Sequence, residues 1–154
     1  MTAKIESNFG REIMKNIDAQ WTRIENRHGG GIPDLYGIKG GVSIWLELKC
    51  IKQNSINISP LQISWNYNHF QQNGKNYYIV RDTRSKVIKL YDGDKGRELK
   101  EQGFKCPCIV ELRPSGINHK CPSELGWKIL RDHLFPPPLK KHLKYMGNNY
   151  CEVS

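Results

Sequence analysis

Two carboxylates stand almost alone in a basic stretch of this chain. Between Asn26 and Arg81 the acidic residues are Asp34 and Glu47, set against Arg27, Lys39, Lys49, Lys52, Lys75 and Arg81. The segment Ile32-Pro33-Asp34-Leu35-Tyr36-Gly37-Ile38 is joined to Ser43-Ile44-Trp45-Leu46-Glu47-Leu48-Lys49-Cys50 through Lys39-Gly40-Gly41-Val42. Two apolar runs separated by Gly-Gly predict a β-hairpin, because both turn residues can take positive φ. A two-residue turn fixes the register: Lys39 opposes Val42, Ile38 opposes Ser43, Tyr36 opposes Trp45 and Asp34 opposes Glu47. Opposed residues share a face with Cβ atoms roughly 5 Å apart, and like charges so placed repel. A divalent cation between them relieves that repulsion, and hard oxygen ligands of this kind suit Mg²⁺ or Mn²⁺. Lys49, two residues beyond Glu47, projects to the same face. Held there, a metal can polarise a phosphate oxygen and lower the pKa of a bound water, while Lys49 orients that water or offsets growing charge.

The elements that must position this trio are legible around it. Ala3 to Gln20 reads as a helix with Ile5, Phe9, Ile13 and Ile17 on one stripe. Glu6 falls inside that stripe, where a carboxylate is costly unless a cation compensates it or it complements the helix dipole in the first turn. Glu12 lies at the stripe's edge. Trp21 to Glu25 has strand-like residues. A second helix begins at Ser59 as N-cap with Pro60 in the first turn, runs through Trp65 and Phe70, and stops near Asn73-Gly74. Tyr77–Arg81 and Lys86–Tyr91 read as strands, and Gly126–Leu134 as a short helix ended by Pro136-Pro137-Pro138. The tail from Leu139 is basic and expected to be partly loose. The order α-β-β-β-α-β-β predicts an α/β (mixed α+β) fold, one mixed sheet flanked by helices.

Composition bounds the function classes. The 154 residues carry 24 Lys+Arg against 15 Asp+Glu, a net charge of +9, with 38% hydrophobic residues and four Trp. This favours one folded domain and a polyanionic partner. No apolar run approaches the ~20 residues of a membrane span, and the N-terminus lacks the apolar core of a secretory signal. Five Cys is an odd number that reads as reduced thiols, so a cytoplasmic protein is expected rather than a secreted disulfide scaffold.

Gly31-Ile32-Pro33-Asp34 followed by Trp45-Leu46-Glu47-Leu48-Lys49 resembles the PD-(D/E)xK nuclease superfamily, in particular small phage-encoded VRR-type nucleases and archaeal-type Holliday junction resolvases. The likeness covers roughly Lys4 to Arg81. It implies a restriction-endonuclease-like core over residues 1–92, with residues 93–154 a basic C-terminal extension of the same domain. It also implies a Mg²⁺-dependent (or Mn²⁺-dependent) endonuclease hydrolysing DNA phosphodiesters, structure-selective in the manner of junction resolvases. Such a protein acts in the cytoplasm, the host's if phage-encoded, and often as a homodimer so that two sites reach two strands. Asp34 and Glu47 match the metal ligands, the Leu48 carbonyl often completes the shell, and Lys49 matches the catalytic lysine. Glu6 matches the helix-1 glutamate, although Glu12 or Glu25 can hold that place. Gln62 matches a glutamine that contacts site or substrate, yet Ser59-x-x-Gln62 is equally a capping box. The readings set against this one are a non-catalytic nucleic-acid-binding module with a nuclease fold, and an RNA-directed nuclease.

Other signals are weaker. Arg23, Arg27, Lys39, Lys52 and Lys75 are candidate phosphate contacts. Cys106-x-Cys108 and His119-x-Cys121 supply four zinc-ligand types, but one-residue gaps are tighter than usual, and independent thiols are the preferred reading. Trp21, Trp45, Trp65, Tyr67, Tyr77 and Tyr78 include candidates for base stacking, with core packing the commoner role of such residues.

Overall fold

Helix α1 (Thr2–Asn16) buries Phe9, Gly10 and Ile13, the stripe its periodicity predicts, with Ile17 buried just beyond it. It ends four residues earlier than the sequence pattern indicates. Trp21 donates its indole N–H to the Ile17 carbonyl at 2.9 Å, and Gln20–Arg23 is drawn into the sheet as β1. Strand pairing with β2 (Leu35–Lys39) thus overrides helical periodicity there. The computed structural model describes residues 2–25, 29–115 and 122–138, and the backbone of 142–146 and 149–153.

From β2 the chain turns through Gly40 and Gly41, both at positive φ (56° and 79°), into β3 (Val42–Ile51). The register is the one a two-residue turn requires, with Lys39 opposite Val42 and Tyr36 opposite Trp45. Helix α2 (Pro60–Gln71) follows with a complete capping box at Ser59 and Gln62, and Asn73 at φ 61° ends it. Strand β4 (Asn76–Asp82) then pairs parallel to β3. Lys86, read from sequence as a strand residue, sits in the turn at φ 63°, and β5 is Ile88–Asp92.

The six-stranded sheet runs β1-β2-β3-β4-β5-β6, with β6 (Val110–Leu112) at the far edge and β3·β4 its one parallel pair among the described residues. Each face carries a core. Leu46, Leu48, Ile79 and Leu90 pack with α1 and with Trp127, Leu130 and Leu134 of α4 (Glu124–Leu134). Ile51, Tyr78, Val80 and Tyr91 pack on the other face with Leu99 of α3 (Gly96–Gln102) and Ile63 of α2. This is the mixed sheet between helical layers that the sequence order implies, with elements in the order α-β-β-β-α-β-β through β5. Helix α3 escaped the sequence reading because Leu99 is its one apolar residue, leaving no periodicity to detect. Within the tail from Leu139, β7 (His142–Met146) pairs antiparallel with β8 (Asn149–Val153).

Candidate active site

Strand β3 has ten residues and β2 five, and their ladder ends at Leu35 opposite Leu46. Beyond that pair the β3 edge has lost its strand partner, and acidic side chains take over its donors. The Leu48 N–H donates to Asp34 Oδ2 at 2.8 Å, and the Cys50 N–H to Glu6 Oε1 at 3.4 Å. A strand residue directs its N–H and C=O to the same side, so the Leu48 carbonyl also faces Asp34. Asp34 is itself fixed by a 2.8 Å bond from the Ile24 N–H to its carbonyl. Gly31 secures the loop from behind, since at φ 75° it packs so closely on α2 that a Cβ would collide with the Leu61 carbonyl oxygen.

Glu47 and Lys49 project from β3 toward α2, on the face opposite Leu46 and Leu48, as strand alternation dictates. Glu47 is 1% exposed. Gln62 donates through Nε2 to Glu47 Oε1 at 2.6 Å and accepts at Oε1 from Lys49 Nζ at 3.1 Å. The same Oε1 accepts the Ser59 N–H at 3.1 Å, so one side chain closes the helix cap and also contacts the site. Lys49 Nζ lies 3.8 Å from Glu47 Oε1. No N–H or O–H among the described residues reaches Glu47 Oε2. The neighbouring acid is Asp34, which can share a proton with Glu47 only when one of the two is protonated.

The electrostatics follow from this crowding. Burial and then the Asp34 charge push Glu47 up to about 9, against the opposing pull of Lys49. Burial also raises Asp34, with the Leu48 N–H and Lys49 holding it down, and Arg23 contributing in the same sense. Glu6 is raised by burial and by Asp34, with Lys49 and the Cys50 N–H opposing. Three carboxyl groups therefore share one field, dominated by desolvation and insufficiently neutralised by one lysine.

The structure separates the three glutamates considered for the third acidic position. Glu12 is paired with Arg81 at 2.6 Å, and that guanidinium also lies 4.5 Å over the Phe9 ring. Glu6, two turns earlier, is the one that bonds the β3 edge. Glu25 follows β1 and is exposed. Arg23, at the end of β1, is exposed and acts on Asp34; Lys52 and Lys75 are exposed after β3 and before β4. Lys39 sits at the other end of the hairpin, ion-paired with Asp18 at 3.1 Å, so it is not brought to the carboxylates. Arg27, His119 and Cys121 lie outside the described residues. Cys106 is buried and Cys108 half-buried, both free thiols. No three His, Cys, Asp or Glu side chains among the described residues form a metal-holding group. A cation here would rest on Asp34, Glu47, the Leu48 carbonyl and waters, the sparse protein ligation Mg²⁺ accepts. The orphaned, buried Glu47 oxygen fits that role.

Sequence reading missed what holds Gln62. Its carbonyl accepts from Asn66 Nδ2 at 2.9 Å and Tyr78 Oη at 3.4 Å, and Asn76 Nδ2 in turn bonds Asn66. Polar residues on a helix announce no such buried network in advance.

No protein-family model matches the chain. No curated protein matches it either. Among solved structures it is similar to Hjc of Archaeoglobus fulgidus, a Holliday junction resolvase from an archaeal hyperthermophile. That match has 15% identity and a TM-score of 0.46, and covers 58% of this chain and 73% of that one. Among the described residues no helix is long and apolar enough to cross a membrane.

Proposed function

We propose that this protein is a divalent-metal-dependent endonuclease of the PD-(D/E)xK type that hydrolyses DNA phosphodiesters. The observation that carries this reading is the convergence of Asp34 and Glu47 beyond the end of β2, with a buried Glu47 oxygen that no donor satisfies. Two raised carboxyl groups facing one another make a poor resting state and a good cation seat. When bound, Mg²⁺ or Mn²⁺ would supply Lewis-acid activation of a phosphate oxygen and of a water.

The chain's own residues do the rest. Asp34, Glu47 and the Leu48 carbonyl hold the cation, and the Cys50 N–H holds Glu6 beside them. Lys49 places a positive charge on the same face, where it orients the attacking water and offsets charge growing on the phosphate. Gln62 keeps Glu47 and Lys49 in register with one another through its two amide atoms. Arg23, Lys52 and Lys75 contact the phosphate backbone. A homodimer would bring two such sites to the two strands of a branched duplex.

Cleavage of a four-way junction, a linear duplex and an RNA strand, with and without Mg²⁺, tests the reading. Metal-dependent DNA products are expected, with Glu47→Ala and Lys49→Ala each slower by at least ~100-fold, the usual scale for losing a charge-stabilising group. Products from either variant at the wild-type rate overturn the assigned roles. Tight binding with no product in either metal identifies a binding module instead, and preference for the RNA strand redirects the substrate.

A further inference from the structure

The face of β3 that carries Lys49 and Glu47 also carries Trp45 and Ser43, two and four residues upstream of Glu47. At a strand rise of ~3.3 Å per residue these lie about 7 and 13 Å from Glu47. Helix α2 runs over them, with Gln62 at the carboxylates and Trp65 and His69 above Trp45. Trp45 lies 5.0 Å from the Tyr36 ring and 5.4 Å from Trp65, while His69 stacks on Trp65 at 4.8 Å and 26°. These four half-buried rings belong to neither hydrophobic core of the sheet. They form a separate aromatic layer, against the commoner expectation that such residues fill the core.

A cavity of about 330 Å³ opens where that layer meets the hairpin tip, lined by Val42, Ser43, Trp45, His69, Gly74 and Lys75 among others. That volume sits at the small end of the ~300–1,000 Å³ range of small-molecule sites. No carboxylate lines it, and its cation is the exposed Lys75, whose carbonyl accepts the Trp45 N–H at 3.0 Å. Burial lowers His69 below its ordinary value, so near neutral pH its ring is an uncharged flat wall.

We propose that this cavity receives the base of an unpaired nucleotide in the strand being cut, stacked against Trp45, with His69, whose ring stands at 84° to that of Trp45, closing the pocket's side and Lys75 on the nucleotide's phosphate. At about 7 to 13 Å from Glu47 along the strand, the base would lie a few nucleotides at most from the bond being cut. Bases inside a duplex are covered by their neighbours and cannot enter, so the substrate class is DNA with a single-stranded segment adjoining the cut. This inference rests on the nucleic-acid reading of the neighbouring site.

The test compares a blunt duplex with the same duplex bearing an oligothymidine arm, by fluorescence anisotropy in EDTA. The armed DNA should bind about tenfold tighter, within the range that one or two base–aromatic stacks provide, and quench tryptophan emission. Trp45→Leu should abolish that preference while leaving blunt-duplex affinity within about twofold of wild type. In case Trp45→Leu fails to fold, wild-type protein is photo-crosslinked to an arm containing 5-iododeoxyuridine. Adducts on the peptides holding Trp45, Trp65 or His69 are expected. Equal affinity for the two DNAs, or adducts confined to other peptides, overturns the subsite. Adding Mg²⁺ separates the two proposals: arm preference without cleavage sinks the nuclease reading and keeps the subsite, whereas cleavage without arm preference does the reverse.

Discussion

Glu47 is ordinary in sequence and strained in place. Metal-free, its carboxyl is pushed up to about 9 from an ordinary 4.5. Between those values the folded protein keeps a proton that the unfolded chain has released, so stability falls as pH rises through that window. In EDTA the Tm of wild type should therefore drop more steeply from about pH 6 to about pH 9 than that of Glu47→Gln, with a difference of at least ~2–4 °C. Parallel Tm profiles would show that the charge is accommodated without a cation. The hairpin register from Lys39–Val42 to Leu35–Leu46 was readable because a two-residue turn leaves no freedom, but the ladder stops one pair short of Asp34 and Glu47, which meet as neighbours beyond it rather than as a strand pair. Glu6, inside the apolar stripe, was preferred to Glu12 at its edge, but the helical wheel does not show which partner each carboxylate finds. An ion pair to Arg81, 69 residues away, takes Glu12 aside.

At the scale of elements, the α2 N-terminus resolves an ambiguity by doing both jobs. Ser59 and Gln62 cap the helix reciprocally, and Gln62 also bonds Glu47 and Lys49. Ser59→Ala and Gln62→Ala should each cost about 1 kcal/mol in thermal melts, the usual value of a cap. Only Gln62→Ala should slow cleavage strongly, by about tenfold or more, since one lost charged hydrogen bond amounts to that much. Equal loss of cleavage in both variants would reduce Gln62 to a cap. The helix start, the hairpin and β4 were legible because Ser-Pro, Gly-Gly and the continuous apolar run Tyr77-Tyr78-Ile79-Val80 each act within a few positions. The end of α1 was misread because β1 pairing, a non-local contact, competes with helical periodicity there.

Over the whole molecule, an excess of nine positive charges is shared unevenly with respect to the site. Arg23 and Lys52 stand exposed on the site side and Lys75 stands exposed at the cavity near the hairpin tip, whereas Lys39 is tied to Asp18. DNA affinity measured against salt should show a log–log slope of about −3 or steeper, one phosphate contributing about −0.9. Arg23→Ala or Lys52→Ala should make the slope shallower by about 1, and Lys39→Ala should leave it unchanged. An unaltered slope in the first two would move the DNA path elsewhere.

By itself the sequence determined the local geometry: a diglycine turn and its register, a capped helix, and two carboxylates with a lysine on one side of a strand. These depend on contacts between near neighbours, which leave periodic and turn-residue traces. Tertiary structure alone decided that β3 outruns β2, that Glu6 caps the exposed stretch, and that four aromatic rings sit outside both cores. Those outcomes arise from strand-length mismatch and from how helices settle on a twisted sheet. The energies involved are summed over residues far apart in the chain, where no spacing rule records them.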